Sequence, residues 1–104
     1  MFVHLVLIKL KPGVTRSDPR VKAWLPMFAS LERKCSGIER FEHGWNTTDR
    51  PIAYDYGISI VFATRADLDA YGPHPAHQEV VAKLREIGDW LICDFEKHEP
   101  LAET

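Results

Sequence analysis

The sequence has few cysteines and no apolar run long enough to cross a membrane. Its two cysteines, Cys35 and Cys93, lie far apart, which excludes a disulfide framework or a zinc knuckle and predicts two reduced thiols in or near the core. The apolar residues 2–10 are interrupted by His4 and Lys9 and fall well short of the ~20 residues that a membrane span needs. They also lack the basic start and the cleavage site of a signal peptide, so we expect a cytoplasmic protein with no membrane partner.

An excess of positive charge is also missing. The chain carries 13 Lys and Arg against 15 Asp and Glu, a formal net charge of -2, whereas binding to a phosphate backbone needs a basic surface. We therefore expect no nucleic-acid partner. The sequence also lacks a glycine-rich phosphate loop, a nucleotide-binding fingerprint and a serine or cysteine nucleophile motif. What it has is a globular composition of 104 residues, 45% hydrophobic and 27% charged, which predicts a single domain over 1–104 with its core at about 2–97.

The first half of the chain predicts a strand, a helix and a second strand. Residues 2–10 are rich in aliphatic side chains and end at a Pro-Gly pair, as expected for a strand buried on both faces. Asp18 can cap a helix that begins at Pro19 and is closed by Gly37. Residues 38–45 place aromatic and histidine side chains on one face, which predicts strand two. The helix has apolar side chains at spacings of three and four: Val21, Trp24, Leu25, Phe28, Leu31 and Cys35.

The second half predicts a strand, two helices and a last strand. Large side chains at every second position from Tyr54 to Phe62 predict strand three. Thr64 opens a capping-box sequence for a short helix, and a longer helix begins near Pro75. Residues 90–95 predict strand four. The apolar face of the longer helix consists of Val80, Val81, Leu84 and Ile87.

The element order β-α-β-β-(α)α-β is that of the split βαβ or ferredoxin-like arrangement. It predicts an α+β fold in which a four-stranded antiparallel sheet carries its helices on one face only. The other face of strands one and three is too apolar to remain in water, and a domain this small gains stability by covering it. We therefore predict a homodimer in which two facing sheets form a dimeric α/β barrel.

Three stretches carry a family resemblance: residues 3–14 (VHLVLIKLKPGV), the helix-ending pair Gly37-Ile38, and residues 71–78 (YGPHPAHQ). Together they resemble the stress-responsive dimeric A/B barrel (Dabb) family, and the similarity extends from His4 to about Glu96. The resemblance implies a dimeric α+β barrel with a pocket in each subunit. The family includes olivetolic acid cyclase, which closes a linear polyketide thioester by aldol chemistry without a cofactor.

By this resemblance, the catalytic histidine of the cyclase falls on His77, the tyrosine that assists it on Tyr71, and a pocket histidine on His4. A second pocket histidine falls near Tyr56, so the chain departs from the cyclase there and the same substrate is not implied. We predict catalytic roles for His77 and Tyr71, with no cofactor. The predicted residues for binding a small carbonyl or polyketide-like substrate are His4, Tyr56, His74 and Ile58.

The sequence position of His77 suits a general base. If His74 is the N-cap and Pro75 the first helical residue, His77 is the third, where the helix dipole disfavours the imidazolium. A neutral imidazole can take a proton from a carbon between two carbonyls, and the Tyr71 phenol can bind the imidazole or the developing enolate oxygen. The alternative is structural, because such a histidine often caps or packs and such a tyrosine often covers a core edge. His4, on an apolar strand face, is open to the same two interpretations.

A metal site is not expected, although His74 and His77 have His-x-x-His spacing. Pro75 keeps residue 74 out of the helical conformation, so the two rings need not share a face. No nearby cysteine or obvious third ligand completes a zinc set.

These patterns leave three functional hypotheses. The first is a cofactor-independent lyase, cyclase or isomerase of small carbonyl compounds, which requires a pocket that reaches His77 and Tyr71. The second is a non-catalytic stress-response or ligand-binding homodimer, in which His77 is buried with both ring nitrogens bound and no cavity beside it. The third is a cofactor-free monooxygenase, suggested by fold analogy alone.

Overall fold

The computed structural model describes residues 1–98, which form one four-stranded sheet and four helices. Residues 99–104, the end of the predicted domain 1–104, lie outside the described residues. In chain order the elements are β1 (Phe2–Leu10), α1 (Pro19–Ala29), α2 (Leu31–Lys34), β2 (Ile38–Trp45), β3 (Tyr56–Phe62), α3 (Arg65–Tyr71), α4 (Pro75–Ile87) and β4 (Gly88–Glu96).

The sheet has the strand order β2-β3-β1-β4, and all neighbouring strands are antiparallel. β1 lies inside the sheet, where Val6 pairs with Ile58 of β3 and Ile92 of β4. Alternate residues of β1 and β3 join α1, α3 and α4 in one hydrophobic core. We call the sheet surface that carries His4 and Val6 the helix face. This architecture confirms the predicted α+β, ferredoxin-like sheet with helices on one face.

Side-chain caps fix where three of the helices begin. The Asp18 carboxylate accepts the Arg20 N–H at 2.9 Å at the start of α1, and the Thr64 hydroxyl accepts the Asp67 N–H at 3.2 Å at the start of α3. At the start of α4, the His74 ring accepts the Ala76 N–H at 3.1 Å. The predicted N-caps therefore lie where the sequence placed them.

The predicted helix from Pro19 to Cys35 is interrupted at Ser30, which separates α1 from α2. The Ser30 hydroxyl donates to the Met27 carbonyl at 2.7 Å. That carbonyl is the acceptor that the next backbone N–H would use in a continuous helix. A local side-chain hydrogen bond thus ends α1 before the apolar periodicity does.

Two strand boundaries and one burial prediction also differ from the sequence interpretation. Strand three begins at Tyr56 rather than Tyr54, because a turn closed by the Ala53 N–H and the Arg50 carbonyl precedes it. Strand four extends beyond residues 90–95 to Gly88–Glu96. Cys93, predicted in or near the core, is exposed.

The second surface of the sheet, which we call the outer face, remains largely apolar in the described chain. Its central residues are Val3, Leu5 and Leu7 of β1, Val61 of β3, and Leu91, Cys93 and Phe95 of β4. Leu7, Leu91 and Phe95 are 40%, 55% and 46% exposed. Such a contiguous patch is typical of an interaction surface. Within residues 1–98, no helix is both long and apolar enough to span a bilayer.

Candidate functional site

A cavity of about 360 Å³ lies between the helix face of the sheet and helices α1 and α4. Its volume is within the ~300–1,000 Å³ range of small-molecule sites. The lining is apolar except for a few polar side chains: His4, Val6, Trp24, Phe28, Ile58, Ile60, Tyr71, His77, Val80, Val81, Leu84, Arg85, Trp90 and Ile92. A small organic molecule with a limited number of polar groups matches these walls.

His77 lies in the first turn of α4, and one of its ring nitrogens is fixed by the backbone. Nδ1 donates to the Gly72 carbonyl at 3.0 Å, because a carbonyl can only accept. In the neutral ring this bond selects the tautomer with the proton on Nδ1 and leaves Nε2 as an acceptor. Burial lowers the pKa of His77 below its ordinary value of 6.5, although the Gly72 hydrogen bond opposes the shift. The arrangement favours a neutral imidazole with a basic nitrogen available.

Tyr71 ends α3 and lies between two histidines of the cavity. Its ring centroid is 4.2 Å from that of His77 and 5.6 Å from that of His4. The Tyr71 and His77 rings pack against each other, and the hydrogen bond between them that the sequence allowed is not formed within residues 1–98. Burial raises the pKa of Tyr71 far above its ordinary value of 10.0, so the phenol stays protonated and acts as a hydrogen-bond donor.

His4 is held by a carboxylate on the neighbouring strand. The register of β1 and β4 places His4 opposite Asp94, and His4 Nδ1 lies 2.5 Å from Asp94 Oδ1. With the carboxylate accepting, His4 Nδ1 carries the proton and Nε2 of the neutral ring remains an acceptor. Asp94 therefore orients His4 in much the same way as the Gly72 carbonyl orients His77.

Four of the six predicted site residues line the cavity: His77, Tyr71, His4 and Ile58. His74 does not line it, because its ring caps α4. Tyr56 also lies elsewhere, hydrogen bonded to His43 and packed against Trp24 and Trp45.

The strand register explains the position of Tyr56. Tyr56 pairs with Ile8, whereas Ile60 pairs with His4. Four residues along a strand correspond to about 13 Å. Tyr56 is therefore displaced along the sheet from the polar end of the cavity.

Several cavity residues were not predicted as functional. The cavity residues of α4 have the three- and four-residue spacing of a single helix face: His77, Val80, Val81, Leu84 and Arg85. This spacing, counted from His77, could have identified the other four from the sequence. Asp94 and Ile92 depend on the pairing of β4 with β1, which no local pattern of the sequence reveals.

Over residues 1–98, no group of three or more His, Cys, Asp or Glu side chains is arranged to hold a metal ion. One ring nitrogen of His74 is taken by its cap, and one of His77 by the Gly72 carbonyl.

Comparison with known proteins adds the family to this description. The family model for the stress responsive A/B barrel domain matches residues 2–97. An uncharacterized protein of Streptomyces coelicolor is 44% identical over 96 residues, covering 92% of this chain and 99% of that protein.

Solved structures share the fold. A protein of unknown function from Jannaschia sp. CCS1, described as dimeric and ferredoxin-like, is 26% identical with a TM-score of 0.76, over 92% of this chain and 98% of that one. Hydroxynitrile lyase from Passiflora edulis has a TM-score of 0.80 over 96% of this chain and 95% of that one. At 12% identity, this second likeness shows the fold alone. The match to the family model shows that the chain belongs to the stress responsive A/B barrel domain (Dabb) family.

Proposed function

We propose that the protein is a cofactor-independent enzyme of the lyase, cyclase or isomerase type that acts on a small carbonyl or polyketide-like compound. The observation that carries the proposal is the state of His77. Its Nδ1 is bound to the Gly72 carbonyl, its ring lines the cavity, and its pKa is lowered by burial. A neutral histidine with a free Nε2 beside a substrate-sized cavity is suited to general-base catalysis.

In the proposed mechanism, His77 Nε2 removes a proton from a carbon that lies between two carbonyl groups. The C–H bonding electrons move into the carbonyl group to form an enolate, and the Tyr71 hydroxyl donates a hydrogen bond to its oxygen. The carbon nucleophile then attacks a second carbonyl carbon of the same molecule. The new alkoxide takes a proton from the His77 imidazolium, so that His77 returns to its neutral form.

His4 has a positioning role in this proposal. With Nδ1 fixed by Asp94, its Nε2 can accept a hydrogen bond from a hydroxyl or enol group of the substrate. Ile58 contributes to the apolar wall. The support comes from these residues, since the hydroxynitrile lyase of similar fold is too distant in sequence to transfer an activity.

The non-catalytic alternative made a different prediction for the same residues. It required both His77 nitrogens to be bound and no cavity beside the ring. Within residues 1–98, His77 forms a hydrogen bond through Nδ1 alone, and this feature and the cavity of about 360 Å³ favour the enzyme proposal.

The proposal is tested by proton exchange from ethyl acetoacetate in deuterated buffer, followed by proton NMR. The native protein is expected to accelerate the exchange over buffer. His77→Gln should reduce this acceleration by about 10²- to 10⁴-fold, the usual contribution of a general base. His43→Gln is the matched control, because His43 does not line the cavity. Exchange that is equally fast with native and His77→Gln protein would exclude His77 as the base, and oxygen uptake with a hydroquinone would point to the monooxygenase instead.

We also propose that the protein is a cytoplasmic homodimer that associates through the outer face. The exposed side chains of Leu7, Leu91 and Phe95 support this, and related structures are described as dimeric. Both cysteines are free thiols, which fits a reducing compartment. Leu91→Lys is expected to yield monomers in sedimentation experiments, whereas Lys22→Glu on the exposed surface of α1 should leave the dimer intact.

A further inference from the structure

Among the described residues, one arginine lines the cavity, at the end opposite to the histidines. Arg85 belongs to the cavity wall and is eight residues after His77 on α4, a separation of about 12 Å along the helix axis. The two ends are separated by a similar distance on the sheet. Trp90 precedes Asp94, the partner of His4, by four residues on β4, which is about 13 Å along the strand. The cavity therefore has a polar end formed by His4, Tyr71 and His77, an apolar middle, and a cationic end.

The Arg85 guanidinium is positioned but not neutralised. Its central carbon lies 5.4 Å from the centroid of the Trp90 ring, which is also part of the cavity wall. Stacking on an aromatic face restricts the side chain while leaving its N–H donors free. Within the described chain, Arg85 forms no ion pair with a carboxylate. By contrast Lys83, on the same helix, pairs with Glu86 at 3.8 Å.

A second cation lies next to this end of α4. Lys11 Nζ donates to the backbone carbonyl of Arg85 at 2.6 Å, so its charge adds to the positive potential there. The remaining wall between the two ends is formed by Val80, Val81 and Leu84 on α4, which offer no polar partner. Among the described residues of the cavity wall, an anionic group on a bound molecule would find an arginine or lysine side chain at Arg85.

We infer that Arg85 and Trp90 form a carboxylate-binding subsite, and that the substrate class is an elongated molecule with a carbonyl group at one end and a carboxylate at the other. A planar guanidinium matches a carboxylate through two parallel hydrogen bonds, and one cation neutralises a single negative charge. The orientation of the substrate, with its carbonyl at His77, rests on the proposed function. The subsite itself rests only on the geometry of Arg85, Trp90 and the cavity.

The experiment uses ω-acetoacetylhexanoate and its methyl ester, which differ in charge and by one methyl group. Binding to the full-length protein is measured by isothermal titration calorimetry. The native protein is expected to prefer the acid over the ester by up to about fivefold, because Arg85 is exposed and solvent weakens an ion pair there. Arg85→Gln should lower the affinity for the acid to that for the ester, and Arg85→Lys should retain part of the preference. Lys83→Gln, which removes the same charge from outside the cavity, should behave as the native protein.

Equal affinity of the native protein for acid and ester would overturn the subsite, as would an unchanged preference in Arg85→Gln. Deuterium exchange on the same two probes separates this result from the proposed function. His77→Gln should abolish catalysed exchange and retain the preference for the acid. In the native protein, accelerated exchange with equal affinity for acid and ester removes the subsite alone, whereas a preference for the acid without accelerated exchange removes the general-base proposal alone.

Discussion

Among residues 1–98, the pair formed by His43 and Tyr56 and the pair formed by His77 and Tyr71 differ in what surrounds them. His43 and Tyr56 are joined by a hydrogen bond of 2.5 Å between His43 Nδ1 and the Tyr56 hydroxyl. The core void that Tyr56 borders is about 10 Å³, although Tyr56 and His43 also border open surface depressions of about 480 and 440 Å³, respectively. His77 and Tyr71 pack ring against ring, with centroids 4.2 Å apart, and both line the cavity of about 360 Å³. The Tyr56 hydroxyl has a hydrogen-bond partner in His43, whereas His77 Nε2 and the Tyr71 hydroxyl remain available to a ligand.

This difference, rather than residue type, is the reason for proposing His77 and Tyr71 as the functional pair. Tyr56 is buried whereas His43 is exposed, and the hydrogen bond with His43 contributes to stability because it removes the cost of burying the Tyr56 hydroxyl. In the second pair, the Gly72 carbonyl binds His77 Nδ1, and Tyr71 packs on His77 through its ring. His77 Nε2 and the Tyr71 hydroxyl can therefore take a partner from outside the protein. A substrate with carbonyl groups supplies such a partner.

Removing the hydroxyl group from each tyrosine should separate the two pairs most clearly. Tyr71→Phe is expected to reduce catalysed proton exchange from ethyl acetoacetate by about 10²- to 10³-fold, because the enolate loses its hydrogen-bond donor. Tyr56→Phe should leave the exchange rate nearly unchanged and lower the free energy of unfolding by about 1 kcal/mol. Exchange kinetics and urea unfolding of both variants measure the two effects.

The opposite pattern would reverse the assignment of the two pairs. If Tyr56→Phe slows exchange while Tyr71→Phe only destabilises the protein, the site lies at the β2 end of the sheet. His4 would then be too far along β1 to take part, since it pairs with Ile60 rather than with Tyr56.

Enlarging a valine in each region tests the packing difference. Val21 is 1% exposed and borders the void of about 10 Å³, so Val21→Phe should lower the free energy of unfolding by about 1–3 kcal/mol through overpacking. Val81 lines the large cavity, and Val81→Phe should change stability by less than about 1 kcal/mol. It should also block ligand binding, which calorimetry with ω-acetoacetylhexanoate measures. A Val81→Phe protein that is as destabilised as Val21→Phe would show that the cavity does not persist in solution.

The same comparison shows what the sequence could predict. The helix positions came from local signals, since His74 caps α4 as expected and thereby places His77 in the first turn. The alternation of residues 38–45 placed His43 among aromatic side chains, and His43 does pack on Phe28 and Phe41. Local periodicity is sufficient for these assignments because it depends only on neighbours in the chain.

What the sequence did not predict depends on strand register. Family resemblance placed Tyr56 in the substrate pocket. In the structure Tyr56 pairs with Ile8 rather than with His4, so it lies in the core beside Trp24 and Trp45 and outside the cavity lining. Asp94 was overlooked for the same reason, because its contact with His4 joins residues that are 90 positions apart. Register is fixed by long-range pairing of whole strands. The helix break at Ser30 was missed for a different reason, because it depends on a single side-chain hydrogen bond.

The smallest expected effect concerns the pH dependence of stability, to which both pairs contribute. Burial lowers the pKa values of His77 and His43, so the unfolded chain binds more protons than the native one below the ordinary histidine value of about 6.5. Stability is therefore fully present above that pH and declines as the pH falls toward the native pKa values. Urea unfolding at fixed protein concentration between about pH 7.5 and 5 should show this decline, and His77→Gln and His43→Gln should each flatten it. Replacement of the exposed His98 is the control. A decline that survives both substitutions would assign the proton uptake to other groups, because the lowered pKa of Asp18 acts only at more acidic pH.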